Sequence, residues 1–565
     1  MRKLVWQIVI VVIALAAIAF LLLRQQPSLL PVTPEVQPST GGVYSEALIG
    51  DFNRLNPVLD YANPVDQDVN RLIFSTLLRF DDRGLPINDL IESMGISQSG
   101  QNYNISLRQD AVWHDGQPLT SSDVVFTIEL LRSEELPIPD DIRSLWQEIE
   151  VEEMDDHTIQ FRLPEPFAPF LDYLTFGILP DHILGDISPA DITDSDFNMQ
   201  PVGSGPYRFD RFEVENDRIS GVVLSAFEEY YQGSPFIEQF IFKYYPDSQA
   251  AIDAYQAGDV LGVSRITNDI LQSALAEPDL NLHSGQVPLL STIFLNLDDP
   301  QVPFFQDAEI RRALLMGIDR QRIITQLNDG QATLAHGPIF PGSWAYYDGV
   351  EKIEFDPEGA INNLRAAGYS IPASGNPVRT NEEGQSLEFD LVYPQDDKNE
   401  QIAAAIAADW EALGVQANLE PVDPDALIDD YLDPRNYQAA LVEINLTRSP
   451  DPDPYPFWDQ AQISGGQNYS QWNDRQASEY LEEARIQLDR SERIRLYNNF
   501  QVRFASELPA LPLFYPIYNY GIDQRVNGVT IGSLYQPSDR FADVIKWFLL
   551  AERSLEASPT DTPSP

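Results

Sequence analysis

Cysteine is absent from all 565 residues, which excludes disulfides, thiolate metal sites and cysteine nucleophiles. It also excludes the lipid-bearing N-terminal cysteine by which some exported proteins are tethered. Basic residues are scarce: 36 Lys and Arg stand against 87 Asp and Glu, a formal net charge of -51. Nucleic-acid binding rests on basic groups that displace condensed cations, so that partner class is excluded, and anionic ligands or lipid surfaces are disfavoured. The five histidines stand singly, without H-E-x-x-H or comparable ligand spacing, so no metal site is expected.

Long apolar runs are lacking with one exception. LVWQIVIVVIALAAIAFLLL, residues 4–23, carries no charge and is long enough as a helix to cross ~30 Å of hydrocarbon. Arg2 and Lys3 precede it and only Arg24 follows closely, a bias that places the N-terminus in the cytoplasm and the bulk outside. The run exceeds a signal-peptide core and no small-x-small site follows, so an uncleaved anchor is favoured over a cleaved signal. QQPSLLPVTPEVQPSTG (25–41) reads as a Pro-rich tether and residues 554–565 as a disordered tail. The remaining body, 42 to about 553, is 43% hydrophobic across the whole chain, and its length suits roughly three or four domain-sized units.

Mixed periodicities mark that body as α/β. YNISLR (103–108) and TIQFRL (158–163) alternate as strands, whereas TSSDVVFTIELLR (120–132) opens on a capping-box pair, Thr120 and Asp123, and continues as a helix. Residues 307–327 place Ile310, Leu314 and Ile318 four apart, and 355–369 has Asp356 as N-cap, Pro357 at N1 and Gly368 past the end, so both predict helices. LEFDLVYP (387–394), a helix over 399–414 and VQANLEPV (415–422) spell a β-α-β unit and a parallel sheet. AALVEINL (439–446) is a further buried strand. Two helices over 474–488 and 492–506 precede Pro-punctuated strand segments at 511–524. No internal repeat is present.

Three places invite chemistry. His114 in AVWHDGQPLT stands beside Asp115, but Asp-Gly and Pro118 make a turn, and no local partner supports a general base. GSGPYRF (203–209) lacks the glycine, Lys-Ser/Thr and helix start of a phosphate cradle and reads as the entry to a strand. An Asp/Glu pair acting as a glycosidase centre stays open in so acidic a chain, although no pair stands out. SPDPDPYPFW, 449–458, is different. Its prolines force extended backbone, so Asp451 and Asp453 sit in a stiff loop just beyond a strand's carboxyl end, where α/β folds place ligands. Tyr455, Phe457 and Trp458 would line a chamber there, and a partly desolvated carboxylate calls for a cation. A surface Asp-Pro turn with core aromatics behind it is the equal alternative.

Taken in order, several motifs resemble the family 5 extracytoplasmic solute-binding proteins of ABC importers, which include oligopeptide- and dipeptide-binding proteins. They are EALIGDFNRLNPVLD, YNISLRQDAVWHDGQPLTSSDVVFTIELL, PVGSGPYRF, TIFLNLDDP with DAEIRRALLMGIDRQRI, and FDPEGAINNLRAAGY. The resemblance implies a non-enzymatic, two-lobed clamp without cofactor or metal. Lobe I would comprise 42–85, 203–288 and 508–553, with an α+β subdomain inserted at 86–202, and lobe II would be 289–507. The implied ligand is a peptide or similar small solute; oligosaccharides and metal chelates are alternatives, as is sensing instead of transport. The implied partners are permease subunits and, through them, a cytoplasmic ATPase, with a monomeric clamp held at the membrane by 4–23. In peptide-binding members the strand before the Asp-Pro loop pairs with the ligand backbone and an aspartate takes its α-ammonium. The corresponding residues here are Asn445, Leu446, Thr447, Arg448, Asp451, Asp453, Tyr455 and Trp458. With Asp453-Pro454 aligned on the family's Asp-Pro, the ammonium position itself falls on Pro450.

Overall fold

A strand of fourteen residues, Ala510–Asp523, ties the molecule together. In this computed structural model, which describes residues 38–550 apart from 82, 374 and 447–449, that strand serves two halves in turn. Its residues 510–514 pair antiparallel with Leu289–Leu295, and 517–523 pair antiparallel with Leu280–Gln286. Only Val287 and Pro288 separate those two partners. The chain therefore crosses between lobes as two extended segments side by side. Pro512 has no N–H to give to the ladder, and the register shifts there, with Thr292 opposite Pro512 and Ser291 opposite Phe514. The expected lobe boundary at 507/508 lies just before this shared strand.

On the lobe II side the sheet continues from Leu289–Leu295 to Ala439–Asn445, then Glu388–Pro394 and Gln416–Val422. The predicted β-α-β unit is present: Glu388–Pro394 and Gln416–Val422 pair in parallel across the helix Asp397–Leu413, which ends on Gly414 at φ 82°. Apolar clusters cover both faces, one around Trp410, Phe389 and Leu314, the other around Trp458, Phe500 and Phe504. The pattern over 307–327 predicts one helix, and the structure has two, Ala308–Met316 and Arg320–Leu327. The break falls at Gly317, where a Cβ would collide with Leu413, and Asp319 restarts the helix by accepting the Arg322 N–H at 2.9 Å.

On the lobe I side the sheet runs through Val43–Ile49, Gln239–Tyr245, Arg218–Ala226 and Tyr207–Glu215. Within 86–202, where an inserted subdomain is expected, a four-stranded antiparallel sheet pairs Asn102–Leu107 with Thr158–Arg162, and the helix Ser121–Arg132 packs on it. This sheet and the one through Val43–Ile49 share one apolar core, from Trp113 and Trp146 through Leu72 to Trp547. Arg540, wholly buried, forks onto Glu46 and Asp68, binding the chain's final segment to the first strand and first helix.

The segment 4–23 expected as an anchor, most of the tether and the tail lie outside the described residues. Among the described residues no helix is long and apolar enough to cross a membrane.

Candidate functional site

The strand Ala439–Asn445 delivers the expected site to the seam between the lobes. It pairs with Leu289–Leu295 along its whole length, Leu289 opposite Asn445. On its other edge the parallel pairing stops early, with Leu391 opposite Ala439 and Val392 opposite Ala440. Residues 441–444 thus lie beyond the ladder on that side. Asn445 is exposed; Leu446 is half-buried and donates its N–H to the Pro288 carbonyl at 2.9 Å, against the crossing point. Thr447 and Arg448 are outside the described residues.

Asp451, 6% exposed, faces a cation supplied by the protein. The Arg493 guanidinium, on the helix Arg490–Glu507, donates to both of its carboxylate oxygens, one at 2.7 Å. The same side chain donates to Tyr497 Oη at 2.9 Å and through Nε to the Ala484 carbonyl at 2.9 Å, and it lies 5.1 Å from the Trp344 ring centre. Burial alone would lower the pKa of Arg493; the neighbouring Asp451 carboxylate more than offsets this and holds it above the ordinary arginine range. The Asp451 N–H, in turn, donates to Asp172 Oδ2 at 2.7 Å, a buried bond from the loop to the segment Ala168–Leu174.

Asp453 repeats the arrangement with Arg485, whose Nε and Nη2 reach Oδ2 at 3.1 and 3.0 Å. Arg485 sits over the Tyr455 ring at 4.2 Å and over the Phe167 ring at 5.0 Å. The motif's last residues form one helical turn, Tyr455–Trp458, which Pro456 tolerates because first-turn N–H groups lack helical partners. Trp458, 2% exposed, is wedged between Phe504 at 4.8 Å and Phe294 at 5.8 Å; it backs the loop from the lobe II core. The structure thus gathers Asp451, Asp453 and Tyr455 at the seam and sets Trp458 behind them.

Neither arginine was legible as a partner, because each lies over thirty residues downstream in an amphipathic helix. The signal available was an arginine on the buried side of a helical pattern: Arg493 shares its face with Leu496, Tyr497 and Phe500.

A cavity of about 280 Å³ opens next to the loop, on the far side of Asp172. The helix Pro64–Ile73 contributes Gln67, Asn70 and Arg71, which its 3.6-residue period sets on one face. The helix Asp140–Glu148 contributes Asp141 and Trp146, and the segment Ala168–Leu174 adds Asp172 and Tyr173. None of these was singled out by sequence, since they converge from three distant segments.

His114 and the GSG stretch have a structural explanation. The Gly203 N–H donates to His114 Nδ1 at 3.2 Å, and Nε2 lies 3.0 Å from the Gly205 carbonyl. The ring is therefore neutral with its proton on Nε2; burial pushes its pKa down to about 4. Gly203 and Gly205 pass so close to the end of the first helix that a Cβ would strike the carbonyls of Ile73 and Leu72.

Comparison with known proteins agrees with this architecture. The profile of bacterial extracellular solute-binding proteins, family 5 middle, matches residues 86–502. The oligopeptide-binding protein AppA of Bacillus subtilis (strain 168) is 26% identical over 524 residues, covering 91% of this chain and 92% of that protein. The dipeptide-binding protein of Escherichia coli (strain K12) is 24% identical over 470 residues, 79% of this chain and 84% of the other. The solved structure of Bacillus subtilis AppA in complex with a nonapeptide superposes with a TM-score of 0.68 at 25% identity, covering 91% of this chain and all of that one.

Proposed function

The chain belongs to the bacterial extracellular solute-binding proteins of family 5, and from that premise we propose that it captures a peptide or similar small solute outside the cytoplasm and hands it to the permease of an ABC importer. The observation that supports this reading best is the strand end at the seam: residues 441–444 have ladder partners on one edge, and the pairing on the other ends at Ala440. An extended backbone laid there continues the sheet, a mode of recognition that is indifferent to side-chain sequence. In this reading residues 441–446 serve as the rail, and Asp451, Asp453 and Tyr455 close its end, with Trp458 behind. Because Arg493 already engages both oxygens of Asp451, we assign that carboxylate to holding the loop and the lobe contact with Asp172, and not to an ammonium.

Two side-by-side strands between the lobes suit hinge closure, in which a few extended residues absorb the rotation. Residues 4–23 would hold the clamp beside its permease and raise its local concentration there. A cytoplasmic ATPase completes the importer.

The test is ligand identification on the full chain in detergent: native mass spectrometry of the undenatured protein, then thermal shift against the solute found and a peptide library. A saturating peptide at a hundred times Kd stabilises by about 2.7 kcal/mol. Stabilisation by an oligosaccharide or metal chelate, with none by any peptide, would overturn the peptide reading.

A further inference from the structure

We propose that Gln331 and Asn519 form a latch across the pivot between the two halves of the molecule, a side-chain bond that holds the empty clamp toward its closed form. The proposal rests on the receptor reading above for its purpose and names residues that set the closure.

The shared strand Ala510–Asp523 changes allegiance within a few residues. Leu511, Leu513 and Phe514 belong to the apolar cluster around Trp410, whereas Tyr518, Tyr520 and Ile522 belong to the one that reaches Trp547. Polar contacts divide at the same place. Arg320, on the helix Arg320–Leu327, donates to the Pro512 carbonyl at 2.8 Å, while the Asn519 carbonyl accepts the Ile266 N–H at 2.8 Å. The pivot therefore falls at Pro516 and Ile517, both half-buried, next to Val287 and Pro288.

A third segment lies across that pivot. The short strand Ala332–Leu334 pairs antiparallel with residues 514–516, Ala332 opposite Pro516. One residue earlier, the Gln331 carbonyl accepts the Ile517 N–H at 3.0 Å. The turn Asn328-Asp329-Gly330-Gln331 sets this register: Asp329 and Gly330 stand at φ 49° and 75°, and the Gln331 N–H donates to the Asn328 carbonyl at 2.6 Å. Asp and Gly are residue types that tolerate such left-handed backbone. Ala332 is buried in the Trp410 cluster and the helix Arg320–Leu327 leads into the turn, so Gln331 travels with that half.

Asn519 travels with the other half, where it stands opposite Ser284. Its amide joins the two: Nδ2 donates to Gln331 Oε1 at 2.8 Å, and Oδ1 accepts the Ser284 hydroxyl at 2.5 Å. Backbone at a pivot turns through a few dihedrals and keeps its ladder on either side. A side-chain bond that spans the pivot cannot, because its donor and acceptor must stay within about 3.2 Å. Opening the clamp thus breaks Gln331 from Asn519, whose side chain, on a residue only 3% exposed, loses a partner. The halves are in contact in this form, with Leu488 so close to Gly100 that a Cβ there would lie 3.0 Å from it, and with the Asp451 N–H on Asp172.

The test reads the separation of the halves without any solute. Because the chain has no cysteine, Gln98→Cys and Ile486→Cys place two spin labels free of background, at exposed positions on either side of the contact between Gly100 and Leu488. Double electron–electron resonance on the full chain in detergent should show a short-distance population in the labelled parent. Gln331→Ala should lower the ratio of closed to open forms about three- to tenfold, the worth of one net hydrogen bond. Asn519→Ala should do the same, and the double variant should go no further than the larger single effect, since one bond is lost in each case. Thermal melting of the same chains separates the latch from ordinary packing. A lowered melting temperature with unchanged distances overturns the latch, as does a parent lacking the short-distance population or a double variant whose single effects add. None of these outcomes depends on which solute binds, so each leaves the receptor reading to its own test by ligand identification.

Discussion

Replacing Asp451 by asparagine separates two roles for the same carboxylate. In the structure Asp451 and Arg493 are each 7% exposed at the side chain and joined through both carboxylate oxygens. Two unit charges ~4 Å apart at an effective dielectric of ~20 attract by about 4 kcal/mol. Breaking such a buried pair from one side costs about 3–5 kcal/mol, because the survivor keeps its desolvation cost without its partner. Asparagine retains one acceptor oxygen, so the expected loss for Asp451→Asn is about 3 kcal/mol. Arg493→Met should cost a similar amount, and the double variant little more than either single one, a coupling of about 2–3 kcal/mol. The assay is urea unfolding followed by hydrogen exchange in peptides from the helices Arg475–Ile486 and Arg490–Glu507, which isolates lobe II from the rest. If Asp451 were instead an open carboxylate awaiting a ligand, asparagine would leave the empty protein unchanged or more stable. Unchanged exchange, or single-variant losses that simply add, would therefore refute the pairing.

Two further outcomes follow from the fold. The unfolded state protonates His114 near pH 6.5 whereas the folded state resists until about 4, so the unfolded state binds more protons in that window and stability falls as pH drops through it. Up to about 3 kcal/mol is lost, less in proportion to the ring's partial exposure, and His114→Gln should flatten that part of the pH profile in chemical unfolding monitored by fluorescence. Gly203→Ala should destabilise lobe I by about 1–3 kcal/mol or more, because the added Cβ meets the Ile73 carbonyl; thermal melting of the two chains side by side checks it.

Local rules were sufficient where the stabilising contacts are local. Asp356 caps its helix by accepting the Gly359 N–H at 2.9 Å, Thr120 donates to Asp123 at 2.8 Å, and Gly368 and Gly414 adopt the positive φ that ends a helix. The β-α-β unit followed from periodicity. What escaped was set by distant segments: Gly317, at the helix break, sits where a Cβ would meet Leu413, and the strand Ala510–Asp523, read as separate pieces because of its prolines, is continuous through pairing with residues more than two hundred positions earlier. At the site the loop and its rigidity were visible, but its cations were not, since Arg485 and Arg493 reach it only through helix packing.

The shared strand has a consequence for the order of events at synthesis. Lobe II leaves one edge of Leu289–Leu295 open until residues 510–514 emerge, and lobe I waits for residues 517–523 and for Arg540 to meet Glu46 and Asp68. Neither half can close its sheet while the last tenth of the chain is still in the ribosome. A polypeptide bound for the far side of a membrane is thereby kept threadable until its end is made, and the two lobes reach their finished form together.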